Sequence, residues 1–575
     1  MLLPILRQAY PRLVDVRQRF SIGDDALRTS LKELESISLS DAPAHVLGDA
    51  FQALIGPRLR GDKGQFFTPR SVVRAMVEIL APKPEESVLD PACGTGGFLL
   101  EAHAFQSAEG IATGRLEGID KDNDLYRLSS ALLQIATKGR AEVNNFNSLD
   151  ESSWESAHGD GKTKNKLFDV ILTNPPFGAK IGITDRRILQ EFALAKQWVS
   201  PKSGGEWIQT GTLMTVQAPQ VLFLELCVKM LVPGGRMGIV LPEGLFGNKS
   251  DGYVWQWLRS EGTVMALLDC PRTTFQPGTD TKTNILFFKK GLGGGTSRGK
   301  AFELVKIAVA LNCGHDRRGR THFPNGQEYP NDFTEIARAY HANEAGPGHW
   351  KNVSLPIGAY MVPRYYAEEK PSTAFEARLT SEAKSKTLKQ LVDEGVLEIR
   401  KGHEVGSEAY GTGEVPFVRT SDLSNQEIST DPTKSVAEDI YAQFAPQQRL
   451  KPDDILMVVD GRYRIGTTAI LTEMSYRCVV QSHIRIISVL KPNILDPFEL
   501  LFALNLASVR RRIRDLVFVQ STLGTLGRRL YELKIPVLHS DGPWREQVDH
   551  FRTVSRERGR LLNELKSMAD VPYEL

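Results

Sequence analysis

The sequence predicts an α/β fold with a mostly parallel, doubly wound sheet. A short helical region precedes it, and an α+β unit ending in a long helix follows it. Three observations lead there. Between residues 61 and 290, short β-rich runs alternate with helical ones, the pattern of strands joined by crossover helices. The glycine-rich turn Asp90-Pro-Ala-Cys-Gly-Thr-Gly-Gly-Phe98 follows one of these strands and opens a helix. Beyond about residue 355 the texture changes to closely spaced strands and turns.

Residues 1–60 read as a helical region, with Leu27, Leu31 and Leu34 at helical spacing. Strands are expected at 87–90, 116–120, 168–173, 236–241, 264–269 and 284–288, and helices at 96–108, 122–137 and 217–231. Gly291-Leu-Gly-Gly-Gly295 punctuates the chain, and 300–350 holds one more strand, closing a catalytic domain over 61–345. The second unit, 355–540, carries strands at 416–420, 454–459, 466–471 and 484–488, then helical residues 497–515. The C-terminal stretch 541–575 holds a helix over 543–567 with Val548, Phe551, Leu562 and Leu565 along one stripe, broken by Ser555 and Arg558. It reads either as a dimerising coiled-coil strand or as a helix packed on its own domain.

Composition sets the class. The 575 residues suffice for about two to four domains. With 41% hydrophobic and 24% charged residues this is ordinary globular material. The net charge of +2 hides local basic runs, Arg510–Arg514 and 552–560. Five scattered cysteines without a CxxC pair argue against a disulfide framework and for a reducing cytoplasm. Cys313-Gly-His315 with His322 lacks a fourth ligand, so no metal site is expected. Arg7 and Arg12 interrupt any apolar leader, and Val221–Val232 is too short and too charged to span a bilayer. A cytoplasmic, prokaryotic protein with no membrane partner is expected.

Two motifs carry chemistry. In the turn Asp90–Phe98, glycines let the backbone approach a ligand and the helix N-terminus offers free N–H groups. Asp120 ends the next strand, about 24 residues after Gly96, an offset suited to gripping both hydroxyls of a ribose. The acidic residue at 90 and the lack of GxGxxG spacing favour S-adenosylmethionine over a nicotinamide dinucleotide. Asp90, Pro91, Cys93, Gly94, Thr95, Gly96 and Asp120 are therefore expected around the cofactor, Cys93 as a small filler rather than a nucleophile.

The second motif, Asn174-Pro175-Pro176-Phe177, directly follows the strand 168–173. Strand ends of a doubly wound sheet border the ligand crevice. Two prolines fix the local backbone and hold carbonyls in set directions. The Asn174 side-chain oxygen and the Pro175 carbonyl can both accept hydrogen bonds from one planar NH2 group, freeing its lone pair, while Phe177 offers a face for a base. Asn174, Pro175, Pro176 and Phe177 are the expected catalytic residues.

With these motifs the sequence resembles the amino-methyltransferases, and among them the γ-class adenine-N6 DNA methyltransferases. Closer still, it resembles the modification subunit of type I restriction-modification systems. Gly64-Gln-Phe-Phe-Thr-Pro69 stands where that family places its first cofactor-contacting segment, which assigns Gln65, Phe66 and Thr68 to the cofactor. Asn147 and Ser148 fall where the family has a polar residue near the cofactor adenine, and Phe275 matches the aromatic that holds the target base beside Phe177. The resemblance implies a Rossmann-like class I S-adenosylmethionine methyltransferase acting on a flipped-out adenine of double-stranded DNA.

Ile399-Arg-Lys-Gly402, Val415–Asp422, Asp454-Ile-Leu456 and Thr525–Pro536 resemble one target-recognition domain of a type I specificity subunit. That implies a methyltransferase fused to a single recognition domain, able to form a homodimer through its last helix and to work with a separate restriction subunit. No Pro-Cys dipeptide is present, which argues against cytosine-C5 chemistry. No Walker A motif or PD-(D/E)xK pattern points to cleavage by this chain. RNA adenine and a protein glutamine amide remain the alternative substrates.

Overall fold

The computed structural model describes residues 4, 5, 8, 23–36, 46, 67–158, 167–177, 181–200, 205–292, 302–342, 349–356, 358–367, 383–520, 523–537 and 543–569. The chain divides into two compact units, Met1–Tyr366 and Ala367–Leu575. Most of the predicted N-terminal helical region lies outside the described residues; within it, α1 spans Asp24–Leu34.

The first unit is built on a nine-stranded sheet. Its elements run α2 (Arg70–Leu80), β1 (Val88–Asp90), α3 (Gly97–Glu109), β2 (Leu116–Ile119), α4 (Asn123–Ala136), β3 (Ala141–Asn144) and β4 (Phe168–Thr173). A hairpin of β5 (Lys196–Val199) and β6 (Ile208–Leu213) follows. Then come α5 (Pro219–Met230), β7 (Leu231–Pro242), α6 (Gly252–Glu261), β8 (Gly262–Asp269), β9 (Thr283–Lys290), β10 (Phe302–Val309), α7 (Phe333–His341) and β11 (Lys351–Leu355). Across the sheet the order is β3-β2-β1-β4-β7-β9-β8-β10-β11. Strands β3, β2, β1, β4 and β7 run parallel. β9 is antiparallel to both β7 and β8. This is the doubly wound, Rossmann-like class I methyltransferase fold that the sequence predicts.

The central strands are continuous apolar runs because helices cover both sheet faces; Val170, Ile171 and Leu172 are wholly buried. α2 turns Val72, Val73, Met76, Val77, Ile79 and Leu80 inward, and each is worth at most about 1.5–3 kcal/mol. Its end is closed by Arg236 of β7, which donates to the carbonyls of Leu80 (2.7 Å) and Ala81 (2.8 Å) while pairing with Glu86 at 2.8 Å. A cation on the last carbonyls of a helix satisfies its orphan acceptors.

After β1 the chain moves outward through β2 and β3 and returns to place β4 on the other flank of β1. The order reverses there, so the carboxyl ends of β1 and β4 border a crevice. Three features differ from the sequence reading. β3 has a largely polar sequence and is not apparent as a strand. The one strand expected in 300–350 is β10, and a further strand, β11, follows at Lys351–Leu355, beyond the expected domain end at 345. The unit boundary falls at Tyr366 rather than near 355, because Leu355, Met361 and Val362 are buried in the first unit.

The second unit is α+β. β12 (Lys384–Thr387) pairs with β17 (Lys534–Val537). A four-stranded antiparallel sheet has the order β13 (Leu397–Lys401), β16 (Ile484–Val489), β14 (Ile455–Val458), β15 (Thr468–Ile470). Leu456, Val458, Ile484 and Ile486 anchor its core. Two of the motif residues meet there: Arg400 donates to Asp454 Oδ2 (3.1 Å) and Ser488 Oγ (2.8 Å). The predicted helix 497–515 is two helices, α8 (Pro497–Asn505) and α9 (Ala507–Leu516).

The terminal helix α10 (Pro543–Ala569) packs on its own unit through its first turns. Trp544 and Val548 are buried, and Phe551 packs edgewise on Phe502 of α8 at 5.5 Å. Farther on, Val554, Leu561, Leu562, Leu565 and Met568 are exposed.

Candidate active site

The β1–α3 turn is shaped by two glycines at positive φ, Gly94 (52°) and Gly96 (81°). A Cβ on Gly96 would sit 2.8 Å from Leu133 Cδ1, and its left-handed backbone is one that side chains strain to adopt, so glycine is favoured there. The turn is tied to β2: Cys93 N–H donates to the Ile119 carbonyl (2.9 Å) and Gly94 N–H to Asp120 Oδ2 (2.9 Å). Asp122 N–H donates to the other Asp120 oxygen (2.8 Å). Each carboxylate oxygen accepts one backbone bond and has lone-pair capacity for another. Burial raises the Asp120 carboxyl above its ordinary value, and those two backbone bonds pull it down.

Asp90 lies behind the turn, 1% exposed. Burial pushes its carboxyl up to about 7, against the opposing hydrogen bonds from Thr173 and the Ala92 N–H. Cys93 is also buried, its sulfur 3.9 Å from Ser129 Oγ, and burial raises its thiol well above the ordinary range. That is the environment of an inert filler.

At the end of β4, the Asn174 side-chain nitrogen donates to Thr68 Oγ1 at 3.0 Å. The segment leading into α2 is thereby joined to the Asn174–Phe177 motif, and the amide's acceptor oxygen is set on the opposite branch. Phe177 is 3% exposed, and its ring meets that of Phe275 edge-to-face, with centroids 6.4 Å apart and planes at 89°.

One cavity, with an open volume of about 1020 Å³, joins these segments. Of the residues expected from sequence, Pro91, Gly94, Asp120, Asn147, Ser148 and Asn174–Phe177 line it. Asp90, Cys93, Thr95 and Gly96 lie outside the lining and shape the turn from behind; Thr68 acts through Asn174. Phe275 stands against Phe177 and does not line the cavity, a departure from the sequence expectation. Gln65 and Phe66 fall outside the described residues.

Sequence reasoning missed the apolar walls: Phe67, Leu125, Phe146, Ile183 and Phe223. Phe146 carried a signal, since it immediately precedes Asn147. Its ring is held edgewise by Trp154 at 5.2 Å. Phe223 carried none, because an apolar residue on an apolar helix reads as core.

This donor set fits a nucleoside-bearing cofactor. Asp120 brings a carboxylate into the cavity, Phe146 and Leu125 give apolar faces suited to a flat base, and Asn147 and Ser148 give polar edges.

Residues 42–303 match the family described as N-6 DNA Methylase. That family and the fold imply S-adenosylmethionine as cofactor. The chain is 30% identical over 301 residues to the type I restriction enzyme EcoEI methylase subunit of Escherichia coli, covering 49% of this chain and 55% of that one. It is 27% identical over 263 residues to the EcoKI methylase subunit of Escherichia coli K12, covering 42% and 44%. The chain thus spans about half the length of these relatives. Among solved structures, a modification subunit of a putative type I restriction enzyme from Vibrio vulnificus aligns at 23% identity with a TM-score of 0.43, over 59% of this chain and 69% of that one. No helix among the described residues is long and apolar enough to cross a membrane.

Proposed function

We propose that this protein is a site-specific DNA methyltransferase that modifies N6 of adenine, as the modification component of a restriction-modification or phage-defence system. The observation that carries the reading is the placement of Asn174–Phe177 at the switch point, in one cavity with Asp120 and Gly94. S-adenosylmethionine, held by Asp120, Asn147, Ser148 and the Pro91–Gly94 turn, supplies an electrophilic methyl group. The chain's own residues do the rest by positioning. A base stacked within a duplex cannot enter this cavity, so the adenine is taken out of the helix. The Asn174 side-chain oxygen and the Pro175 carbonyl accept both N6 hydrogens, which turns the nitrogen lone pair toward the methyl donor. Phe177 stacks on the purine, and Phe275, meeting its edge, holds that ring in plane.

The second unit reads the DNA sequence. Two copies pair through the exposed stripe of α10, where Val554, Leu561, Leu565 and Met568 follow the 7-, 4- and 3-residue steps of a coiled-coil seam. A two-fold pair places two recognition units on two half-sites. Any cleavage belongs to a separate restriction subunit. The test is methylation-sensitive long-read sequencing of unmodified DNA incubated with the protein and S-adenosylmethionine. N6-methyladenine at one recurring sequence is expected, and replacing residues 383–537 with a relative's segment moves it to another. Unmodified DNA alongside methylated RNA or glutamine would replace the reading with one of its alternatives.

A further inference from the structure

Four buried charges converge at the ends of three neighbouring strands. Glu243 follows β7, Asp269 ends β8, Lys282 immediately precedes β9, and Arg364 comes from the short turn Pro363–Tyr366 that closes the first unit. They are 0%, 3%, 6% and 8% exposed. Arg364 grips Glu243 with both guanidinium nitrogens and reaches Asp269 Oδ2 at 2.9 Å. Lys282 Nζ pairs with Asp269 Oδ1 and lies 3.8 Å from Glu243 Oε2. Two anions and two cations balance. Such a cluster is weak evidence for stability, because apolar side chains of similar volume often serve the fold as well. Its position suggests another use.

Residues 270–282 form the loop that leaves β8, carries Phe275 and returns to β9. Lys282 Nζ donates both to Asp269, at the start of the loop, and to the carbonyl of Cys270. It closes the loop's neck. Beyond the neck, Thr273 Oγ1 lies 3.2 Å from Cys313 Sγ, and His315 Nε2 lies 3.3 Å from the Thr274 carbonyl. The backbone leading into Phe275 is therefore anchored at Thr273 and Thr274, Lys282 draws the two ends of the loop together at its neck, and Phe275 meets Phe177 of the Asn174–Phe177 motif.

We propose that Lys282 is a positioning residue for methyl transfer: by clasping the neck of loop 270–282 it sets Phe275, and through Phe275 the ring of Phe177. Glu243, Asp269 and Arg364 hold the ammonium in register. The inference rests on the reading of Phe177 as the base-stacking ring.

Lys282→Met alone leaves a buried anion uncompensated and endangers the fold. Lys282→Met/Asp269→Asn keeps charge balance and the Arg364–Glu243 pair; it removes the clasp and turns the Arg364–Asp269 ion pair into a contact with a neutral amide. This double variant is expected to stay folded by thermal unfolding and to bind S-adenosylmethionine within about twofold of the parent. Its kcat/KM for duplex DNA is expected to fall about tenfold or more, the scale of a small misplacement at a reacting centre. Adding Phe275→Ala is expected to cost nothing further relative to Phe275→Ala alone, because both changes remove one effect.

Wild-type transfer by the double variant overturns the inference. So do losses that multiply with Phe275→Ala, a loss confined to cofactor binding, or failure of the charge-balanced variant to fold. Wild-type transfer by Phe275→Ala itself overturns the stacking reading on which the inference stands, an outcome distinct from the others.

Discussion

The side-chain nitrogen of Asn174 donates to the hydroxyl of Thr68 at 3.0 Å, across 106 positions of sequence. An amide held by its nitrogen presents its oxygen in one direction, so Thr68 decides where the Asn174 acceptor points. Thr68→Val keeps shape and removes the hydroxyl. Its expected cost is about 1 kcal/mol or somewhat more, roughly tenfold in kcat, with little change in cofactor affinity. Steady-state kinetics on duplex DNA checks this; unchanged kcat removes Thr68 from the account.

Asp120 collects the N–H groups of Gly94 and Asp122 and lines the cavity. Asp120→Ala takes away both the carboxylate and the acceptor that shapes the turn. Affinity for S-adenosylmethionine is expected to fall about 10- to 100-fold, or roughly 1.4–3 kcal/mol. Calorimetric titration measures it, and an unchanged dissociation constant contradicts the assignment.

Asp90 gives a pH signature. Its carboxyl is pushed from an ordinary 3.8 up to about 7 by burial. Between those values the unfolded chain has released its proton while the folded chain keeps it, so stability drops as the pH rises, by on the order of 4 kcal/mol in all. Asp90→Asn abolishes this term. Unfolding free energies from urea titrations are expected to show the variant gaining on the parent from about pH 4 to about pH 7, with parallel curves outside that window. A constant gap across the range contradicts the shift.

How much of this was legible beforehand follows from what kind of signal each residue leaves. β1, β2, β4, β7, β8 and β9 were readable because most carry a short apolar run, as in Val170-Ile-Leu172 and Ile285-Leu-Phe-Phe288, between helical stretches. Asp90–Phe98 and Asn174–Phe177 were readable because glycine and proline are chosen for backbone geometry, which survives in the letters. β3 was not, since Glu142 and Asn144 look like loop. The Thr68–Asn174 bond and the convergence of Glu243, Asp269, Lys282 and Arg364 join distant segments, and no local pattern encodes a distance in space; the nearness of Phe275 to Phe177 was expected only through the family resemblance. The unit boundary slipped for the same reason: Arg364 belongs to the first unit through partners some 95 and 121 positions earlier.

The exposed half of α10 makes a separate prediction. Leu561→Glu/Leu565→Glu places two charges on the proposed seam while leaving Trp544, Val548 and Phe551 packed. Sedimentation velocity is expected to show a dimer for the parent and a monomer for the variant at the same concentration, with thermal unfolding essentially unchanged. A parent that is monomeric at micromolar concentration rules out this pairing.

The most direct measurement on the central claim is methyl transfer by Asn174→Ala, followed with labelled S-adenosylmethionine on duplex DNA. Asn174 donates to Thr68 and the substitution leaves Gly94 and Asp120 in place, so the account predicts transfer reduced to background with cofactor affinity near that of the parent. Transfer at the parent's rate would contradict the assignment of Asn174–Phe177 as the catalytic motif.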